Sequence, residues 1–68
     1  MQRECPLTNE QIEVVRWLSY GKTYSEAAEF MGISMKATQR RVERAWRVTG
    51  TFNKTALVAM ALRKGWIL

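Results

Sequence analysis

Six side chains hold most of the chemistry this chain offers. Lys36, Gln39, Arg40, Glu43, Arg44 and Arg47 share one side of a helix if residues 35–49 coil, and Lys36, Arg40 and Arg44 then stack one turn apart. Guanidinium and ammonium groups in such a row hold charge without reacting. Their work is directed hydrogen bonding to an anionic partner. No comparable set exists for making or breaking bonds. There is no histidine, which removes the commonest general base and metal ligand. The single cysteine, Cys5, has no paired base and reads as an inert thiol, and one cysteine excludes a disulfide framework or a cysteine zinc site within one chain. A Gly-rich phosphate loop is missing, and 68 residues leave little volume for a substrate cavity. The expectation is therefore a protein that is not an enzyme, with no catalytic residue, no metal and no cofactor.

The charge is concentrated where those side chains lie. From Ser34 to Lys54 there are six basic residues and one acid, Glu43, while the remaining segments hold five of each. The whole net charge of +5 thus belongs to one helix and its exit. With a pI near 10.0, an anionic partner follows, nucleic acid first. A membrane surface fits less well, because the basic helix has one aromatic residue, Trp46. No apolar run approaches the roughly eighteen residues of a membrane span. The start, MQRECPLT, lacks the apolar stretch of a signal peptide, so a cytoplasmic, reducing location is the default. The plainer alternative is a solvated basic face on which Glu43 partly neutralises Arg40 and Arg47.

Four helices must position this face. Residues 1–6 read as a tail or linker end, and Pro6 halts any helix before it. Thr8-Asn9-Glu10-Gln11 is a capping box opening a helix at about 9–20, with Val14, Val15 and Leu18 at helical spacing and Gly21 closing it. Thr23-Tyr24-Ser25-Glu26 is a second capping box for a short helix at about 24–31, which turns Ala27, Ala28 and Met31 inward. Gly32 closes the turn and Ser34 caps a helix at about 35–49. Thr38, Val42, Ala45, Trp46 and Thr49 form its inward stripe. Gly50 ends it, Asn53 caps a fourth helix at about 54–64, and Gly65 stops that one. The run Ala56 to Leu62 is entirely apolar and covers more than one face, so part of it is a candidate partner surface. Trp66, Ile67 and Leu68 are expected to fold back onto the core. The fold class is all-α, and a short helix, a Gly turn and a basic second helix suggest helix-turn-helix DNA binding.

From Leu7 to Leu68 the chain resembles the LuxR-type (GerE-like) helix-turn-helix domain of bacterial transcription regulators. The resemblance rests on Leu7-Thr8 with Gln11 and Glu13, Gly21-Lys22-Thr23, Glu26, Ala28, Gly32-Ile33-Ser34, Lys36 and Gly50. It continues through Asn53-Lys54-Thr55 and Ala59-Met60-Ala61-Leu62-Arg63-Lys64-Gly65. Trp17 followed by Gly21-Lys22-Thr23 looks most like the quorum-sensing branch, whose members bind acyl-homoserine lactones. The resemblance implies a four-helix domain over 7–68, the third helix in the major groove and the fourth contributing to dimerisation. Its base-reading positions fall on Gln39, Arg40 and Glu43, and the chemistry suits: arginine bonds a guanine edge, glutamine adenine, and a carboxylate accepts from cytosine. Thr23, Ser34, Lys36, Arg44, Arg47 and Lys54 read as phosphate contacts or helix-end donors. The dimer interface falls on Leu57, Met60 and Lys64. The partners implied are double-stranded DNA, a second copy and RNA polymerase, at the nucleoid, with no small-molecule ligand in this domain.

Three departures stand against the family pattern. Thr38 replaces an inward valine, Arg41 replaces a histidine that sits partly against the scaffold, and Trp46 and Thr49 stand where leucine is common. The competing reading is a protein-interaction module or antagonist that pairs with a LuxR-type regulator through the fourth helix without reading DNA.

Overall fold

The computed structural model describes residues 5–68. Four helices follow one another: α1 (Asn9–Ser19), α2 (Tyr24–Met31), α3 (Met35–Thr49) and α4 (Lys54–Arg63). No strand occurs among the described residues, so the all-α expectation holds. None of these helices is long and apolar enough to cross a membrane.

Local chemistry sets where each helix starts. The Thr8 hydroxyl accepts from the Gln11 amide at 3.1 Å, and the Gln11 side chain accepts from the Thr8 amide at 3.0 Å. Thr23 and Glu26 repeat this reciprocal pair at 3.1 and 2.9 Å. Ser34 accepts from the Ala37 amide at 3.0 Å and Asn53 from the Ala56 amide at 2.8 Å. Each cap satisfies amides that the helix itself leaves open.

The α2–α3 turn shows how a helix is stopped. Gly32 takes φ +69°, the Ile33 amide donates to the Ala28 carbonyl at 3.1 Å, and the Gly32 amide donates to Glu29 at 3.2 Å. This is the Schellman arrangement, and its left-handed residue favours glycine. A Cβ at Gly32 would meet nothing within 4 Å, so the requirement is one of backbone conformation and not of space. At the far ends the boundaries shift by one residue: α1 stops at Ser19 with Tyr20 as its cap, and α4 at Arg63 with Lys64 as its cap.

α1 and α3 each pack against all three other helices. Val14 and Val15 of α1, Ala27 of α2, Val42 and Ala45 of α3 and Leu57 and Ala61 of α4 are completely buried in one cluster. Ala27 and its neighbour Ala28 are the small residues that let α2 approach its neighbours. Trp66 and Ile67 fold back onto the core as expected, whereas Leu68 is 99% exposed and does not. Cys5 is half-buried against the core cluster, and residues 1–4 of the expected tail lie outside the described residues.

Candidate nucleic-acid interface

The outer face of α3 is built by what its inner face buries. Thr38, Val42 and Ala45 have no exposed surface, and Thr49 and Trp46 are half-buried beside them. Thr38 fits a valine-shaped space because its hydroxyl donates to the Ser34 carbonyl at 3.0 Å. Thr49 likewise donates to the Ala45 carbonyl at 2.7 Å and meets the Thr51 hydroxyl at 2.9 Å. Trp46 is less well served, since its indole Nε1 is buried without a hydrogen-bond partner.

With that stripe locked inward, Lys36, Gln39, Arg40, Glu43, Arg44 and Arg47 all emerge on the exposed side. Arg41 lies at its margin, half-buried. The three base-reading candidates, Gln39, Arg40 and Glu43, therefore share one accessible surface with Lys36, Arg44 and Arg47. Thr23, Ser34 and Lys54, at the starts of α2, α3 and α4, are exposed as well. Thr23 has less to give a ligand than its position suggests. Its amide is engaged by Glu26, leaving the hydroxyl proton. That same amide donor holds the Glu26 carboxyl below the usual glutamate value, with a smaller contribution from Lys22.

Tyr24 ties this face together. The Lys54 ammonium sits 4.8 Å from the centre of the Tyr24 ring, a cation–π distance that holds a flexible chain in place. Burial, and then the Glu43 charge, push the Tyr24 hydroxyl above its ordinary value. Glu43 thus acts on α2 as well as standing between Arg40 and Arg47.

The fourth helix corrects one expectation. Leu57 has no exposed surface and belongs to the chain's own core, so it cannot meet a second copy while the domain is folded. Met60 is half-buried against that core and Lys64 is exposed at the cap. The outward apolar residue is instead Leu62, 48% exposed. It lines an open groove of about 390 Å³ with Leu18, Val58 and Ala59, alongside Lys22 and Lys54.

One cluster escaped the sequence reading. Trp17 stacks on Phe30 with ring centres 4.5 Å apart and planes 11° from parallel. Tyr20 meets Trp17 edge-on at 6.0 Å, and the Lys22 ammonium lies 5.5 Å from the Phe30 ring centre. The Trp17–Tyr20 spacing was visible as a helical pair, but Phe30 comes from another helix and joins them only in three dimensions.

No family model matches the chain. Over 57 residues, 84% of its length, it is 35% identical to the transcriptional activator protein BjaR1 of Bradyrhizobium diazoefficiens. The match takes in 24% of that protein, so the chain spans about a quarter of the length of the curated relative it matches. The similarity supports a regulator domain.

Proposed function

We propose that the chain is the DNA-binding domain of a LuxR-type transcription regulator, with α2 and α3 as the helix-turn-helix pair and α3 in the major groove. One observation carries this reading. The entire net positive charge lies in the stretch from Ser34 to Lys54, and four of its cations, Lys36, Arg40, Arg44 and Arg47, emerge together on the exposed face of α3. Gln39, Arg40 and Glu43 are assigned to base edges, where a good bidentate pair contributes about 1–3 kcal/mol of discrimination. Lys36, Arg44, Arg47, Lys54, Thr23 and Ser34 are assigned to the phosphate backbone. The domain acts by binding, not by catalysis. Its site of action is the bacterial nucleoid, and a quorum-sensing regulator is the subfamily assigned. RNA polymerase is a candidate partner of the whole regulator.

A two-fold DNA site with half-sites about one helical turn apart implies a dimer. Met60, Lys64 and the exposed Leu62 of α4 are the residues assigned to that contact. The exposed apolar surface at Leu62 also favours a second reading, an interaction module that pairs with another regulator and does not read DNA.

Selection from random duplex DNA at two salt concentrations, with Arg40→Ala alongside, separates the two. The DNA-binding reading expects an enriched motif that the variant loses. It also expects affinity to fall with salt at a slope set by about four to six phosphates per subunit. Absence of binding at either salt transfers the assignment to the interaction module.

A further inference from the structure

The face around α3 has two margins, and only one has been given a role. On the first margin Glu43 acts on Tyr24, and Tyr24 supports Lys54. The other margin is formed by Arg41, about 100° round the helix from Arg40, with Arg44 between them. There Arg41 and Arg44 line an open recess of about 260 Å³ together with Thr8, Glu10 and Gln11 of the α1 entrance. Arg41 is half-buried at this margin, while Arg44 is exposed. Two arginines lining one polar recess suit a tetrahedral, singly charged oxyanion, which arginine holds by paired N–H bonds. Glu10 is the one opposing charge there, and it lowers the recess's net charge without cancelling it.

We infer that this recess binds a backbone phosphodiester of the DNA strand opposite the one met by Lys54 and Thr23, with Arg41 as its principal ligand. The inference rests on the DNA-binding reading and extends it to a residue that reading leaves unassigned. A helix seated in a major groove about 12 Å wide has a phosphate strand on each side. Each margin of α3 then meets one strand, and the helix is fixed in both roll and depth. Arg41 contributes position and affinity; base choice stays with Gln39, Arg40 and Glu43.

The test uses the duplex enriched by the selection, carrying a neutral methylphosphonate at one backbone position at a time on both strands. Wild type is compared with Arg41→Ala, Arg41→Lys, Glu10→Gln and, as a control for general charge, Arg16→Ala on the exposed side of α1. Thermal melting confirms that each variant is folded. Wild type is expected to lose about tenfold at one position that Arg41→Ala no longer senses. Arg41→Ala should also lower the salt slope by about one contact and keep the motif. Arg41→Lys restores part of the loss, Glu10→Gln tightens binding, and Arg16→Ala leaves the methylphosphonate profile unchanged. If wild type selects a motif but Arg41→Ala gives the same profile and slope, this inference alone falls. Failure of wild type to bind duplex at all removes the DNA reading and this inference with it. If Arg41→Ala does not fold, the decision passes to Arg41→Lys and Glu10→Gln, and no change in either overturns the assignment.

Discussion

α3 and α4 are neighbours that present opposite chemistry to solvent. The outer side of α3 is a field of cations with one amide, Gln39, and one carboxylate, Glu43, and its inner side is a narrow stripe centred on Val42 and Ala45. α4 has two fully buried positions, Leu57 and Ala61, and much of the rest of its surface is apolar and only half covered. The difference is one of division: α3 separates buried from charged, exposed side chains residue by residue, whereas α4 carries apolar side chains on both its buried and its open sides. A helix of the first kind can lose a surface residue without losing the fold. A helix of the second kind cannot be assigned roles until the buried side is known.

The largest expected effect lies at the point where α4 commits to the core. Leu57→Ala should destabilise the domain by about 2–5 kcal/mol in a denaturant titration, because it leaves a cavity in a closed cluster. Leu62→Ser, five residues on and exposed, should leave monomer stability within about 0.5 kcal/mol. It should weaken self-association if α4 carries the dimer contact. Equal destabilisation by the two variants would erase the contrast between the faces of α4.

Asn53→Ala should remove about 1 kcal/mol, since it opens the amide that begins α4, and it also disturbs the placement of Lys54. The loss would be read by thermal melting. On α3, Thr38→Val tests whether the inner stripe tolerates a hydroxyl at no cost. The Ser34 carbonyl already accepts from the Thr38 amide at 3.1 Å, so the hydroxyl adds a second bond to one acceptor. The variant should be neutral or more stable by up to about 1 kcal/mol, and a loss larger than that would show the hydroxyl to be structurally required.

The smallest effect is at the α2 entrance. The folded Glu26 carboxyl titrates below its ordinary value because it accepts from the Thr23 amide. Its contribution to stability is therefore present above the unfolded glutamate value and is lost as pH falls through the folded one. A carboxyl-carbon NMR titration should find Glu26 shifted downward. Glu26→Gln should reduce the acid-side slope of stability while keeping the cap's hydrogen bond. Tyr24 works in the opposite sense, since its raised value means that stability is present below the unfolded tyrosine value and fades as pH rises through the folded one.

What sequence alone determined here was local and periodic. Thr8, Thr23, Ser34 and Asn53 announce helix starts because a short polar side chain reaches an amide three residues ahead. Val42 and Ala45 on one side and Arg40 and Arg44 on the other define α3 at its own period. The basic face was legible for the same reason: it needs one helix and a count of charges. Tertiary structure alone decided the rest. A run of seven apolar residues has no preferred side, so only packing against the other helices could bury Leu57 and leave Leu62 outside. Phe30 stacking on Trp17, Tyr24 beneath Lys54, and Arg41 beside Glu10 and Thr8 join residues that chain spacing does not relate. Contacts of that kind depend on where helices cross, and crossing is settled by the whole core at once.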